Sequence, residues 1–240
     1  MNPVVFRDNV SAYAVLLGGF RLTVQGRPVT AWRAGRSRAL FQYLVLHRDR
    51  PVHRDRLRAE LWPHLVPPAG ATSVKAAVHG VRRVLRPLVD AGAPVELRCT
   101  RDGYVLTGDG LRTDVDDFLH AMRAGDAARG ARDLDAAGAH YRRALHHYGG
   151  TLLPAEDAPW ILEHRERLRS AALRAVQFLI ERARAAGDPW AVIEWSERAL
   201  EIDPYDWFAC EELVEAYRKL GLAAQAGRWS DLAELRMADV

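Results

Sequence analysis

The sequence predicts two domains of different fold class, an α+β domain over residues 13–107 and an all-α domain of helical repeats over residues 112–240. Short apolar runs divided by turn residues begin and end the first part, whereas apolar residues at helical spacing fill the second. The charge divides in the same way. Residues 1–101 hold 17 Arg and Lys against 6 Asp and Glu, and residues 102–240 hold 17 against 25. This contrast favours a polyanion, with nucleic acid the leading candidate, as the partner of the first domain.

Composition restricts the class of protein further. A chain of 240 residues with 49% hydrophobic content is large enough for two modest cores. No run approaches the roughly 18 consecutive apolar residues that span a bilayer, and the amino terminus lacks a secretory signal pattern. We therefore expect a cytoplasmic protein without a membrane partner. Cys99 and Cys210 are too few for a disulfide framework or a zinc site, and both are expected to be structural thiols.

Two short strands open the first domain. Residues Tyr13 to Leu17 and Phe20 to Val24 are apolar or alternating in polarity, and a glycine-containing turn follows each run. A small antiparallel sheet is therefore predicted ahead of the first helix.

Three helices follow the sheet. Apolar residues recur at helical spacing from Arg36 to His47, and Pro51 prevents any continuation. A second helix is predicted from about His53 to Trp62, and a third from about Thr72 to Leu88.

A hairpin is predicted after the third helix. Val95 to Cys99 and Tyr104 to Thr107 read as strands, and Asp102-Gly103 is expected to supply the positive φ angles of a tight turn. The order of sheet, three helices and hairpin is that of a winged helix. A generic α+β core without a DNA-binding role has the same order, so charge has to decide between them.

The third helix carries two stripes of side chains. One is apolar and is predicted to face the core: Val74, Val78, Val81 and Leu85. The other is basic, starts near Thr72, and repeats the same spacing one residue later: Lys75, His79, Arg82 and Arg86. A merely solvated face normally mixes charges, but this helix has no acid before Asp90. The stripe therefore fits the major groove of DNA, where Lys and Arg donate to guanine.

Gly80 interrupts this helix at a cost of roughly 1 kcal/mol relative to alanine. Two explanations stay open from the sequence: close approach of another backbone, or tolerated drift.

Further arginines are candidates for contacts with the DNA backbone. Arg98 and Arg101 lie on the predicted hairpin, within reach of phosphates or of the minor groove, and Arg36, Arg38 and Arg54 lie near helix starts, where they are expected to clamp phosphates. Surface arginines are common, so solvation explains each of these five equally well.

The second domain shows an irregular repeat. Residues 137–145 and 199–204 look like the second helix of a tetratricopeptide (TPR) unit, and a weaker copy follows Leu220-Gly221. The spacing predicts a TPR-like stack, not a regular 34-residue array. Such stacks present grooves for peptides or other subunits.

Nothing in the sequence indicates an enzyme. His146 and His147 are adjacent on a helix and diverge, and no metal-ligand spacing occurs. The carboxylates Asp114, Asp116 and Asp117 lie at a predicted helix start, where they favour the helix dipole and cap it. No Ser or Cys nucleophile lies in a recognisable turn. We therefore expect no catalytic residue, no metal and no cofactor.

Short segments spread over nearly the whole chain carry a family resemblance. In the first half they include Leu16–Gly18, Gly26–Val29, Arg38–Leu40, Val52–Asp55, Leu61-Trp62, Val81-Arg82-Arg83 and Gly103–Leu106. In the second half they include Asp114–Asp116, Tyr148–Gly150, Pro159-Trp160, Arg165–Leu168 and Asp203-Pro204. The first set resembles the DNA-binding domain of the SARP family of bacterial antibiotic-pathway activators. The second resembles the bacterial transcriptional activator domain that accompanies it.

The resemblance implies an OmpR-like winged helix that binds direct repeats in double-stranded DNA near promoters, usually as a pair of protomers. It also implies recruitment of RNA polymerase through its sigma factor. Three positions depart from the family pattern: Ala77 and Gly80 stand where polar or basic side chains are frequent, and His53 replaces the usual hydroxyl cap of the second helix. The loss of that cap is expected to weaken the helix start by up to about 1 kcal/mol.

The expected function is a sequence-specific transcription activator, with Arg83 added to the DNA-binding residues by the family match, acting in a secondary-metabolite pathway. Two alternatives stay open. One is a TPR-like interaction scaffold whose winged helix no longer reads DNA, with Ala77 and Gly80 as marks of decay. The other is a repressor that uses the same DNA contacts.

Overall fold

A computed structural model describes residues 12–32, 35–65, 69–90, 92, 95–108 and 110–238. The chain divides into two compact units. The first comprises the described residues up to Asp114 together with Leu153–Leu162, and the second comprises Val115–Leu152 and the residues from Glu163 onward.

In the part of the chain that the structure describes, the first unit is an α+β fold with ten elements. They are β1 (Ala12–Val15), β2 (Arg21–Val24), β3 (Arg27–Pro28), α1 (Arg36–Leu46), β4 (Val52–His53), α2 (Arg54–Leu61), α3 (Ala69–Asp90), β5 (Val95–Cys99), β6 (Gly103–Gly108) and β7 (Leu111–Thr113). The predicted strands and helices are all present, and α3 extends further at both ends than its apolar pattern indicated.

These strands form two sheets. In the first, with strand order β3-β2-β1-β7, β1 and β2 pair antiparallel as predicted, while β7 adds a parallel strand on the other side of β1. The second sheet, in the order β4-β6-β5, is the wing, and it contains the predicted hairpin plus the two-residue strand β4. Strands of two or three residues, such as β4 and β7, are too short to show a polarity pattern.

The carboxylate of Asp114 binds the backbone directly after β1, although Asp114 lies almost 100 residues further along the chain. Its buried carboxylate accepts hydrogen bonds from the backbone N–H of Leu16, at 2.9 and 3.0 Å to its two oxygens, and from that of Leu17 at 2.9 Å. The backbone N–H of Leu153 in turn donates to the carbonyl of Leu16 at 2.8 Å. The sequence indicated only a helix-capping role for Asp114, whereas the structure shows that it fastens two distant parts of the first unit.

The second unit is all-α. Its helices are α4 (Asp114–Gly130), α5 (Leu134–His147), α6 (Trp160–Ala186), α7 (Pro189–Ile202), α8 (Trp207–Lys219) and α9 (Ala223–Ala238). The first residue of α4 and the first three residues of α6 belong to the first unit. Three of them begin at capping aspartates, because Asp133, Asp188 and Asp206 each accept a hydrogen bond from the backbone N–H three residues later, at 3.0, 3.1 and 2.9 Å.

Small residues pack between neighbouring helices of this unit. The alanines at the predicted repeat positions, among them Ala137, Ala144 and Ala199, are almost completely buried, and so are Ala226 and Ala233 in the weaker third copy. The predicted fold class, a winged helix followed by a TPR-like helical-repeat domain, is confirmed. None of the helices among the described residues combines the length and apolar content that crossing a bilayer requires.

The pKa of Tyr141 is expected to make the free energy of unfolding of the helical unit depend on pH. Its hydroxyl donates to Asp126 Oδ1 at 2.7 Å, and burial, followed by this hydrogen bond, raises the pKa of Tyr141 to about 12. Because the unfolded chain loses this proton near its ordinary pKa of about 10, the folded state binds more protons between pH 10 and 12. The free energy of unfolding is therefore expected to fall as the pH rises through this range.

Urea unfolding at several pH values, with Tyr141→Phe as the comparison, measures this contribution. The Phe variant is expected to lose part of the decline between pH 10 and 12. An unchanged decline would assign it to other tyrosines.

Candidate nucleic-acid interface

The inner face of α3 is built as the apolar spacing predicts. Val74, Val78, Val81 and Leu85 are each at most 4% exposed, and the helix packs against α1, α2 and β5. Ala77 is also buried, at 1% exposure. This position therefore belongs to the core and does not face solvent.

The outer face of α3 is basic. Six side chains singled out in the sequence are exposed there: Thr72, Lys75, His79, Arg82, Arg83 and Arg86. Within the part of the chain that the structure describes, Lys75, His79 and Arg83 form no hydrogen bond or ion pair. Their donors are therefore available to an external partner.

Arg82 makes a contact that the sequence did not indicate. Its Nε and Nη2 atoms donate to the carbonyl oxygen of Leu97 in β5, at 3.2 and 3.1 Å. The guanidinium group thus connects α3 to the wing while its side chain stays exposed. Arg82 therefore helps to hold α3 and the wing, the two elements predicted to contact DNA, in position relative to each other.

Arg86 is less constrained. Its Nε lies 3.9 Å from a carboxylate oxygen of Asp90, and the two side chains are 83% and 71% exposed. Ion pairs in such exposed positions contribute little to stability and exchange readily. Asp90 therefore lies within reach of the basic face, but it does not hold Arg86 firmly.

The wing places its arginines differently. Arg98 pairs with Glu96 at 2.7 Å on β5, whereas Arg101 is exposed in the turn before β6. The expectation of positive φ angles in this turn is wrong, since neither Asp102 nor Gly103 has one. Gly103 has another role: a Cβ atom there would lie 2.7 Å from the carbonyl carbon of Val52, so only glycine permits the pairing of β6 with β4.

The arginines at helix starts have partners within the first unit. Arg36 Nη1 donates to Ser73 Oγ at 2.8 Å, which connects α1 to α3. Arg54 lies over the ring of Tyr104, 5.6 Å from its centroid, and donates to Cys99 Sγ at 3.6 Å. Arg38 is half-buried near the start of α1.

One of these helix starts differs from the sequence expectation. His53 does cap α2, because its Nδ1 accepts a hydrogen bond from the backbone N–H of Asp55 at 3.2 Å. Both cysteines are free thiols; Cys99 is exposed on the wing and Cys210 is buried, and a structural role for both stays a prediction. Among the described residues, no group of His, Cys, Asp and Glu has the arrangement of a metal site.

Gly80 is explained by close packing of α3 against α1. A Cβ atom at position 80 would overlap Ser37 Oγ and lie 2.9 Å from Ser37 Cβ. The sequence left open either close approach of another backbone or tolerated drift; the structure shows a close approach, but not of a backbone. The contact is with a side chain, that of Ser37, at the start of α1.

Substituting Gly80 tests this packing. Gly80→Ala is expected to lower the free energy of unfolding by about 1 kcal/mol net, because overpacking outweighs the better helix propensity of alanine. Ser37→Gly removes the obstructing side chain, so the double variant is expected to recover most of the loss. Urea unfolding of the two single variants and the double variant gives the interaction free energy.

Gly227 on α9 is the matched control, because a Cβ atom there would meet nothing within 4 Å. Gly227→Ala is expected to stabilise the protein by up to about 1 kcal/mol. Equal stabilisation by Gly80→Ala would contradict the packing explanation.

Comparison with known proteins identifies a family that part of the chain matches. Residues 113–229 match the family described as bacterial transcriptional activator domain. The proteins named transcriptional regulatory protein EmbR from Mycobacterium bovis and Mycobacterium tuberculosis are 30% identical over 207 residues, which cover 84% of this chain and 52% of theirs. The chain therefore spans about half the length of these curated relatives.

A solved structure has the same fold. It is that of Mycobacterium tuberculosis EmbR in complex with a low affinity phosphopeptide, with 24% sequence identity and a TM-score of 0.74. The match covers 97% of this chain and 61% of the solved one. It includes both the winged-helix part and the helical part of the fold.

Proposed function

We propose that this chain, which belongs to the SARP-type family of transcriptional regulators, is a sequence-specific activator that binds double-stranded DNA. In this proposal α3 enters the major groove, and the wing contacts an adjacent backbone or the minor groove. The contacting residues are those predicted from the sequence, with Lys75 and His79 facing bases and Arg101 facing phosphates.

The outer face of α3 carries the proposal. From Thr72 to Arg86 its exposed polar side chains are all basic or hydroxylic, and the unpartnered Lys75, His79 and Arg83 have donors to offer. A wing lies directly beside this face, connected to it by Arg82. This combination supports groove binding better than a solvated surface does, since a solvated face normally mixes charges.

The helical unit is proposed to act on proteins. Its match to the bacterial transcriptional activator domain and its stacked helices support a role in positioning a second protomer on direct repeats or in contacting RNA polymerase through its sigma factor. Control of a secondary-metabolite pathway, action in the cytoplasm and the absence of enzymatic activity belong to the same proposal.

A scaffold with a silent winged helix is the second candidate, but its supporting observation has another explanation. It relied on Ala77 and Gly80 as decayed base-contacting positions. Ala77 is a core residue and Gly80 packs on Ser37, so neither position is a lost contact. A repressor would use the same DNA contacts, and binding data alone do not distinguish it from an activator.

Gel-shift titration against genomic fragments at two salt concentrations tests the proposal. The full chain is expected to discriminate among fragments and to lose affinity steeply with salt, with a slope of roughly −0.9 for each phosphate contact. Equal affinity for every fragment would favour the scaffold. Run-off transcription from a bound fragment with purified polymerase then separates activation from repression.

A further inference from the structure

A groove of about 380 Å³ lies on the surface of the helical unit between α8 and α9. On α8 the lining residues recur on one face from Trp207 to Arg218, which is about 17 Å along the helix axis. The opposite wall is formed by Ser230, Ala233 and Glu234 of α9. The groove therefore has the length of about three turns of a further helix.

The floor of the groove is apolar. Cys210 and Val214 from α8 and Ala233 from α9 are at most 8% exposed. By contrast, Trp207 is 45% exposed at one end of the groove. Tryptophan is a frequent anchor in protein interfaces, because its large ring buries much apolar area while its N–H can still donate. The groove thus combines an apolar floor with an exposed anchor.

The walls of the groove are acidic. Among the described residues that line it, one is basic, Arg218, at the end opposite Trp207. Four are glutamates: Glu211, Glu212, Glu215 and Glu234. The groove therefore carries a net negative charge.

Two of these carboxylates have no partner. Glu211 on α8 and Glu234 on α9 form no hydrogen bond or ion pair within the part of the chain that the structure describes. The other two glutamates pair with basic residues of the same unit, at 2.6 and 3.7 Å. Each wall of the groove thus offers one carboxylate to an external cation.

A basic amphipathic partner fits these features together. The apolar side chains of such a helix would cover the floor, and its Arg or Lys residues would extend over the ring of Trp207 to the carboxylates of Glu211 and Glu234. A purely apolar segment would bury these carboxylates without a partner, which is costly. A solvated acidic surface explains the glutamates, but it does not explain the exposed Trp207 beside an apolar floor.

The charge of the whole second half acts in the same direction. Residues 102–240 hold 17 Arg and Lys against 25 Asp and Glu. Such an excess attracts a positively charged partner over distances longer than those of direct contacts.

We propose that this groove binds an amphipathic helix with basic flanks from a partner protein. The inference rests on the proposed role of the helical unit in acting on proteins, and it specifies the surface and the charge of the partner. DNA binding by α3 does not depend on it.

Fluorescence anisotropy of a labelled synthetic peptide tests the groove. The probe is a peptide of about 14 residues, which as a helix spans the groove, with Leu along one face and Arg on both sides of it. Its counterpart has Gln in place of each Arg. Each peptide is titrated with the full chain in buffer without DNA. We expect saturable binding of the Arg peptide, and binding of the Gln peptide that is roughly tenfold weaker or less.

Two double variants form a matched pair. Glu211→Gln with Glu234→Gln removes the unpartnered carboxylates of the groove, whereas Glu194→Gln with Glu197→Gln removes two exposed carboxylates of α7 that lie outside it. The first is expected to weaken binding of the Arg peptide roughly tenfold or more, and the second to leave it nearly unchanged. Trp207→Ala is expected to weaken it about two- to fivefold. Circular dichroism reports whether each variant is folded.

The outcomes separate this inference from the proposed function. Equal weakening by the two double variants overturns the groove, and so does a lack of saturable binding by a chain that still retards DNA in a gel. Both results leave DNA binding intact. Peptide binding with the expected pattern, in a chain that does not retard DNA, supports the groove and overturns the DNA-binding proposal.

A second copy of the chain is the competing occupant, and sedimentation velocity detects it. Self-association that Glu211→Gln with Glu234→Gln abolishes, in a chain that does not bind the Arg peptide, overturns the partner helix and assigns the groove to another protomer.

Discussion

Asp114→Ala is expected to lower the free energy of unfolding of the first unit by about 3 kcal/mol, since each buried donor left without an acceptor costs about 1–3 kcal/mol. The carboxylate receives the backbone N–H groups of Leu16 and Leu17, two residues that are 0% and 3% exposed. Water cannot replace the lost acceptor without entering the end of β1. Asp114→Asn keeps one oxygen and is expected to lose about half as much.

Native-state hydrogen exchange of the Leu16 and Leu17 amides, combined with urea unfolding, measures this effect. Faster exchange at these two amides identifies the acceptor that was removed, and the shift of the urea midpoint gives the change in free energy. Asp231→Ala is the control, because Asp231 is exposed on α9 and has no partner among the described residues. Identical urea midpoints for the two alanine variants would show that Asp114 does not fasten the first unit.

Contacts between distant residues explain why this role was not predictable. Apolar spacing fixed the inner face of α3, because side chains three and four residues apart lie on the same face of any helix. By contrast, Asp114 acts on residues almost 100 positions away. The return of Leu153–Leu162 to the first unit is equally non-local, since the backbone N–H of Leu153 donates to the carbonyl of Leu16, far away in the sequence.

In the candidate DNA interface, too, some features follow from the sequence pattern and others only from contacts between distant residues. The positions of Lys75 and His79 on the exposed face follow from helical periodicity alone, whereas Arg83 was added by the family resemblance. The role of Arg82 depends on where the carbonyl of Leu97 lies, and Gly80 depends on Ser37 in another helix. Sequence spacing predicts which side of an element a residue occupies, but the partner that it meets there is set by tertiary packing.

The second large effect is expected from the basic face itself. If Lys75 contacts a base, Lys75→Ala is expected to cost roughly 1–3 kcal/mol of specific DNA binding, which is a loss of about 5- to 150-fold, with altered preference at one base position. Affinity for random DNA is expected to change much less. Equal weakening on specific and random fragments would reassign Lys75 to a phosphate.

Arg82→Ala is expected to behave differently, although both side chains belong to the same stripe. Removing the guanidinium group loosens the wing, because the bonds at 3.1 and 3.2 Å to Leu97 are lost and only the packing of α3 against β5 remains. We expect specific and random DNA to lose affinity by a similar factor, since a displaced wing weakens contacts with the backbone, which do not depend on sequence. Arg86→Ala, which removes one charge from the same face without touching the wing, measures the purely electrostatic part.

Gel-shift titrations of the three variants on one specific and one random fragment distinguish these roles. A variant that loses only discrimination has lost a base contact, and one that loses affinity on both fragments beyond the Arg86→Ala level has lost the wing. If Arg82→Ala instead changes preference at a single base position, its guanidinium leaves Leu97 to donate to DNA when the complex forms. The wing would then be held by other contacts in the complex, and Arg82 would read sequence as its position in the basic stripe first indicated.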